Sequence, residues 1–202
     1  MSLLTKLKKS PPEPLESVLG FIEMLFSTLL TVCLVFTYFL RITTIQGESM
    51  MNTLAPDDKV IITDFYNKAH QGDVVVMRIK ESVTLDDNGE LVHEAGLTRT
   101  LVKRVIACEG QTVDIDFEHG VVYVDGEEYH EDYISGLTHL DEGAFSEKYP
   151  VTVPEGYVFV MGDNRRNSRD SRSADIGFVA VDDIIGKVLF RISPTDKIGR
   201  VK

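Results

Sequence analysis

The chain has 202 residues, with 21 Lys and Arg against 32 Asp and Glu and a formal net charge of -11. That length allows one membrane segment and one domain of about 160 residues with a core of its own. Residues 1–41 carry four basic and three acidic side chains, so the remainder is an acidic domain of net charge -12; with no basic stripe interleaved by aromatics, nucleic acid is excluded as a partner.

The first predicted element is apolar. Residues 18–40 run Val-Leu-Gly-Phe-Ile-Glu-Met-Leu-Phe-Ser-Thr-Leu-Leu-Thr-Val-Cys-Leu-Val-Phe-Thr-Tyr-Phe-Leu, with Glu23 as the one ionisable side chain apart from Cys33 and Tyr38. As a helix rising about 1.5 Å per residue, this stretch spans a hydrocarbon layer roughly 30 Å thick with some tilt. Glu23 sits near the first end, within reach of headgroups or protonated. Lys6, Lys8 and Lys9 precede the run, and the positive-inside rule then holds the N-terminus in the cytoplasm. Pro11, Pro12 and Pro14 make the connecting segment extended. The run exceeds the apolar core of a cleavable signal peptide, and no small-x-small site follows Leu40. The expected organisation is a cytoplasmic tail at 1–17, a membrane anchor at 18–40 and an extracytoplasmic domain at 41–202.

Beyond Arg41 the apolar residues alternate or form short runs bounded by turns. This pattern predicts strands at 59–63, 73–79, 98–106, 112–116, 121–124, 157–161 and 187–192. Asn88-Gly89 and Asp125-Gly126 are hairpin turns, and Gln71-Gly72 opens a strand. The fold class is mainly β, an antiparallel domain on one N-terminal transmembrane helix. The polar stretch from Glu128 to Lys148 is expected to be the least regular part. Cys33 in the apolar run and Cys108 beside a strand are placed too differently to form a disulfide. His70, His93, His119, His130 and His139 all fall in polar, loop-like contexts and are expected at the surface. Neither His93-Glu94 nor His130-Glu131 continues as His-Glu-x-x-His, so no metal is expected, and no cofactor.

Three blocks carry the chemistry. Gln46-Gly47-Glu48-Ser49-Met50-Met51-Asn52-Thr53-Leu54 begins just past the apolar run. Leu101-Val102-Lys103-Arg104-Val105-Ile106 reads as a buried strand. Gly162-Asp163-Asn164-Arg165-Arg166-Asn167-Ser168-Arg169-Asp170-Ser171-Arg172 follows. A serine needs a proton acceptor to become nucleophilic. Histidine is the usual acceptor, but a lysine can serve instead if apolar neighbours disfavour its ammonium form, and Val102, Val105 and Ile106 offer such surroundings. Strand alternation sends Lys103 to one face and Arg104 to the other.

In this order, behind one membrane span, the blocks resemble the bacterial type I signal peptidases. The resemblance implies a signal-peptidase-like β fold, Ser49 as nucleophile and Lys103 as general base. It implies Ser168 as a hydroxyl orienting the lysine amine, and Asp170 and Arg172 as supporting charges, with Asp163 paired to Arg104. The Ser49 N–H is the natural first oxyanion donor, and Gly47 stands where some members have a second, side-chain donor. The substrate is expected to be a secretory preprotein with small residues one and three positions before the scissile bond. It would add as a strand beside 42–46 or 100–102, with Ile45, Gln46 and Val102 in contact. Membrane lipid is the other expected partner. Asn52 stands where the family usually has proline, which predicts the same turn with less preorganisation. Two other readings are weighed: a self-cleaving repressor type of peptidase, which lacks an anchor, and a membrane-anchored binding module without activity.

Overall fold

The computed structural model describes residues 14–66 and 68–201, and the chain divides into two compact units, an N-terminal helical one and Leu40–Lys202. The helical unit is α1, Pro14–Tyr38. Its 21-residue stretch Ser17–Thr37 is long and apolar enough to cross a membrane, and the leucines and phenylalanines within that stretch are exposed all round. The hydroxyls of Thr28, Thr31 and Thr37 donate to the carbonyls of Met24, Ser27 and Cys33, at 2.8, 2.9 and 2.7 Å. These bonds let threonine sit in an apolar setting without an orphaned donor.

Two expectations are corrected at its ends. Pro14 is the first helical residue rather than part of an extended segment, because a proline at that position loses no intrahelical hydrogen bond. The helix stops at Tyr38, and Leu40 belongs to a strand paired with Thr63 rather than to the anchor. Lys6, Lys8, Lys9, Pro11 and Pro12 lie outside the described residues.

The second unit contains β1 (Leu40–Thr44), β2 (Lys59–Thr63), β3 (Val74–Leu85), β4 (Leu91–Cys108), β5 (Thr112–Asp116), β6 (Val121–Val124), β7 (Glu127–Glu128), β8 (Val151–Thr152), β9 (Tyr157–Met161), β10 (Val179–Ala180), β11 (Ile184–Ser193) and β12 (Gly199–Arg200). The larger sheet runs β1-β2-β11-β3-β4-β9-β10, with β12 beside β11, and the smaller runs β7-β6-β5-β8. Neighbouring strands in both sheets are antiparallel, so the mainly β expectation holds.

Burial follows the sequence pattern. In β2, β5 and β6 the alternate residues are buried, whereas Val74–Met77 of β3 is buried continuously, as a strand covered on both faces must be. One core cluster gathers Phe145, Phe159 and Phe178 with the inner residues of β5 and β6. Another, of Ile45, Met50, Leu54, Val60, Ile62, Val74, Val76 and Val188, holds down the segment that carries Ser49. All five histidines are exposed, and Cys33 and Cys108 are free thiols. After β7 the chain to Pro150 contains only an isolated bridge, Gly143 to Ser173. This irregular segment is nonetheless anchored by buried Phe145.

Candidate active site

Ser49 lies in a tight turn built from local bonds. The N–H of Met51 donates to the Glu48 carbonyl at 3.0 Å, and those of Thr53 and Leu54 donate to the Met50 carbonyl at 3.1 and 2.8 Å. Met50 and Leu54 are buried on either side, which fixes the turn to the core and leaves Ser49 half-exposed. The Ser49 N–H has no hydrogen-bond partner among the described residues. Asn52 has φ of +83°, a left-handed conformation that asparagine tolerates and proline is unable to adopt. The expectation of the family's proline turn is therefore corrected: this turn has a different shape. Its asparagine is tied down by donating Nδ2 to the Ile134 carbonyl at 3.0 Å.

Lys103 opens the buried run of β4, residues 103–107, is paired with Val75, and is only 2 % exposed. Its Nζ lies 2.6 Å from Ser49 Oγ. Burial pushes the amine down from its ordinary value of 10.5 to about 8, against the opposing pull of Asp170, Asp163 and Glu142. Desolvation prevails because ammonium loses more on leaving water than those carboxylates return.

Arg104 projects to the other face. Its Nε and Nη2 donate to Asp163 Oδ1 and Oδ2 at 2.9 and 2.7 Å, its Nη1 donates to the Gly72 carbonyl at 2.9 Å, and its guanidinium lies 3.9 Å from the centroid of the Tyr133 ring. Thr53 ties this pair to the serine turn: its hydroxyl donates to Asp163 Oδ2 and accepts from Arg104 Nη2 at 3.2 Å.

The third block wraps the same turn. Asn164 donates its backbone N–H to the Ser49 carbonyl at 3.0 Å and its Nδ2 to the Glu48 carbonyl at 3.2 Å. Gly162 packs so closely that a Cβ there would lie 2.2 Å from Ser168 Oγ and 2.5 Å from the Ser49 carbonyl oxygen. Asp170 is a hub, accepting from Gly162 N–H at 2.9 Å, Ser168 Oγ at 2.7 Å and Arg172 Nε and Nη2 at 2.8 and 2.9 Å. Burial opposes its ionisation, yet Arg172 and these hydrogen bonds outweigh burial and hold its carboxyl below the ordinary range. The Ser168 hydroxyl is thus spent on Asp170. Among the described residues no hydrogen bond joins it to Lys103, whose Nζ bonds Ser49 Oγ.

A cleft of about 630 Å³ opens beside the pair. One wall is Thr43, Thr44 and Gln46–Ser49, the other Leu97 and Arg99–Lys103, with Val76 between them. Gln46, Gly47 and Val102, singled out from sequence, line it. Ile45 does not: its side chain is in the core, and its N–H and carbonyl bond Asp58 and Asp57 at 2.9 and 3.0 Å. Alternation beside a surface residue turns it inward. Sequence reasoning also missed Thr53 and Asn164, although both lie inside the recognised blocks. It missed Glu131, which accepts from Arg165 Nη1 at 2.7 Å, where no local signal existed.

A serine hydroxyl against a desolvated lysine, at the end of a strand-lined cleft, defines a serine peptidase of the serine–lysine kind. The model of the signal peptidase, peptidase S26 family matches residues 18–193, and the chain belongs to that family. It is 33% identical over 199 residues to a probable signal peptidase I-1 of Synechocystis, covering 96% of this chain and 93% of that one. It is 28% identical to signal peptidase I P of Bacillus subtilis subsp. natto, covering 93% and 95%. It is 30% identical to a signal peptidase I of Leptolyngbya laminosa, covering 78% and 70%.

Proposed function

We propose that the chain is a membrane-anchored endopeptidase that removes signal peptides from secretory preproteins, with Ser49 as nucleophile and Lys103 as general base. The observation that carries the roles is the 2.6 Å contact between Lys103 Nζ and Ser49 Oγ, made by an amine whose burial favours the neutral form. The neutral amine takes the Ser49 proton as Oγ attacks the scissile carbonyl. The resulting oxyanion is met by the unpaired Ser49 N–H. The ammonium then protonates the leaving amine, freeing the mature protein and leaving the signal peptide as an ester on Ser49. Lys103 next deprotonates a water that attacks the ester, and its ammonium returns that proton to Ser49 Oγ as the signal peptide leaves with a free carboxylate.

The cleft supports an extended substrate. The edge of β1 not paired to β2, and the part of β4 before Arg104 that lacks a partner on its β9 side, both offer backbone groups to a peptide. Small side chains one and three positions before the scissile bond would enter the shallow wall near Val76 and Val102. Lys6, Lys8 and Lys9 before α1 favour a cytoplasmic N-terminus in the cell membrane, with the β unit on the outer side. Nothing favours the inactive binding module.

The experiment is cleavage of a secretory precursor by the detergent-solubilised full chain, beside Ser49→Ala and Lys103→Ala. Cleavage after small-x-small, lost in both variants, supports the reading; a folded parent that cleaves none of several precursors overturns it.

A further inference from the structure

Three consecutive residues of the irregular segment after β7 each touch a different part of the site. The Tyr133 ring covers the guanidinium of Arg104, the immediate neighbour of Lys103. The Ile134 carbonyl accepts from Asn52 Nδ2 at 3.0 Å, three residues beyond Ser49. The Ser135 N–H donates to the Asp163 carbonyl at 2.8 Å, beside Gly162. The serine turn, the lysine strand and the glycine loop are remote in sequence, and Tyr133–Ser135 is bonded to all three.

We propose that Tyr133–Ser135 is a positioning clamp that sets where the Ser49 hydroxyl stands relative to the Lys103 amine. This deepens the serine–lysine reading and rests on it. The segment reaches none of the reacting atoms: it acts through Asn52, Arg104 and Asp163, so these are positioning residues. The link to Asn52 carries most of the effect. The other bonds on the Ser49 turn are local or reach its other residues, from Asn164 and Asn167 at Ser49 and Glu48 and from Asp163, Arg104 and Arg191 at Thr53, and none of them holds residue 52 itself. A turn with a left-handed residue at its end swings about that residue if its side chain is freed, and displacements of about 1 Å in a reacting group cost on the order of a hundredfold in rate.

Asn52→Gly is the cleanest test, because glycine keeps the left-handed backbone without strain and removes only the amide. Asn52→Asp keeps the shape and the conformation but is unable to donate. Tyr133→Leu removes the aromatic face, while Tyr133→Phe keeps it and rescues if the ring is what matters. Each is compared with the parent full chain for kcat, KM, the pH–rate profile and Tm on one precursor.

The clamp predicts a plateau kcat lower by about 10- to 100-fold in Asn52→Gly, Asn52→Asp and Tyr133→Leu, with KM within about twofold, Tm near the parent's and Tyr133→Phe near normal. The midpoint of the pH–rate profile stays in place in Asn52→Gly and Tyr133→Leu, because both leave the burial and the charged neighbours that set the Lys103 amine as they are. Folded Asn52→Gly with normal kcat overturns the proposal, as does a loss that follows KM or Tm instead of kcat. Ser49→Ala and Lys103→Ala run alongside: if either still cleaves, the dyad reading fails, an outcome distinct from failure of the clamp alone.

Discussion

Arg104 and Asp163 form a two-bond ion pair, with both side chains at most 2 % exposed. They join the strand that carries Lys103 to the loop that begins at Gly162. Removing one member of such a pair strands the other as an uncompensated buried charge. Arg104→Ala is expected to lower unfolding free energy by about 3–5 kcal/mol in denaturant titration of the detergent-solubilised chain. A loss below about 1 kcal/mol would mean that water reaches Asp163.

The rate should rise with pH. With Lys103 held near 8 in the folded chain, kcat/KM is expected to climb about tenfold per pH unit below that value and to level off above it. Lys103→Arg should be inactive throughout, because guanidinium keeps its proton. A profile flat from pH 6 to 9 in the parent would remove Lys103 as the titrating base.

The same group has a stability signature. Between about 8 and its ordinary 10.5, the unfolded chain binds a proton that the folded chain does not, so this residue makes stability increase with pH across that window. Replacing it by an apolar side chain lifts the cost of burying the charge. Lys103→Met should therefore be inactive but more stable at pH 7, by up to about 3 kcal/mol, with the gain shrinking toward pH 10. Equal stability at both pH values would contradict it.

Gly162→Ala is expected to be damaging out of proportion to its size. The added methyl would have to displace Ser168 Oγ and the Ser49 carbonyl, at 2.2 and 2.5 Å. Overpacking of this sort costs about 1–3 kcal/mol, and the shift it forces on Ser49 should lower kcat by about 100-fold. Parent-like kinetics would show that the loop gives way without moving the nucleophile.

Asn52→Pro should weaken the enzyme, although proline stands at this position in the family pattern. Proline requires φ near -65°, whereas the residue here has +83°, and the bond to Ile134 is lost as well. Reduced Tm and activity are expected; an increase in either would show that the turn can be rebuilt.

Strand identity was legible wherever alternation was uninterrupted. The bounds predicted for β2, β5, β6 and β9 agree with those observed: the first three bury every second residue, and β9 is a short apolar run buried continuously between turns. The strands of two residues, β7, β8, β10 and β12, are too short to show any period and owe their existence to their partners. Leu40–Thr44 was partly masked because Leu40 continues an apolar run; only its pairing with Lys59–Thr63 separates strand from helix. Ser49, Lys103 and the Arg104–Asp163 pair were readable as blocks because the site needs those chemical types at fixed local spacing. Ile45 was misassigned because alternation had to be started from the correct face. Glu131 and Tyr133–Ser135 had no signature, since what they bind is decided by how a loop without periodic structure folds back.

Among the described residues, Arg104, Arg165, Arg172 and Lys103 are the four largest fully buried side chains. Each arginine faces a carboxylate, from Asp163, Glu131 and Asp170 respectively, while Lys103 faces a hydroxyl. An amine that sheds its proton near pH 8 is available to electrophiles where ordinary lysines, near 10.4, are still ammonium. A small acylating reagent that fits the cleft should therefore mark Ser49, whose proton this amine takes, ahead of the other serines, turning the dyad into a chemical handle for counting intact sites in a membrane preparation.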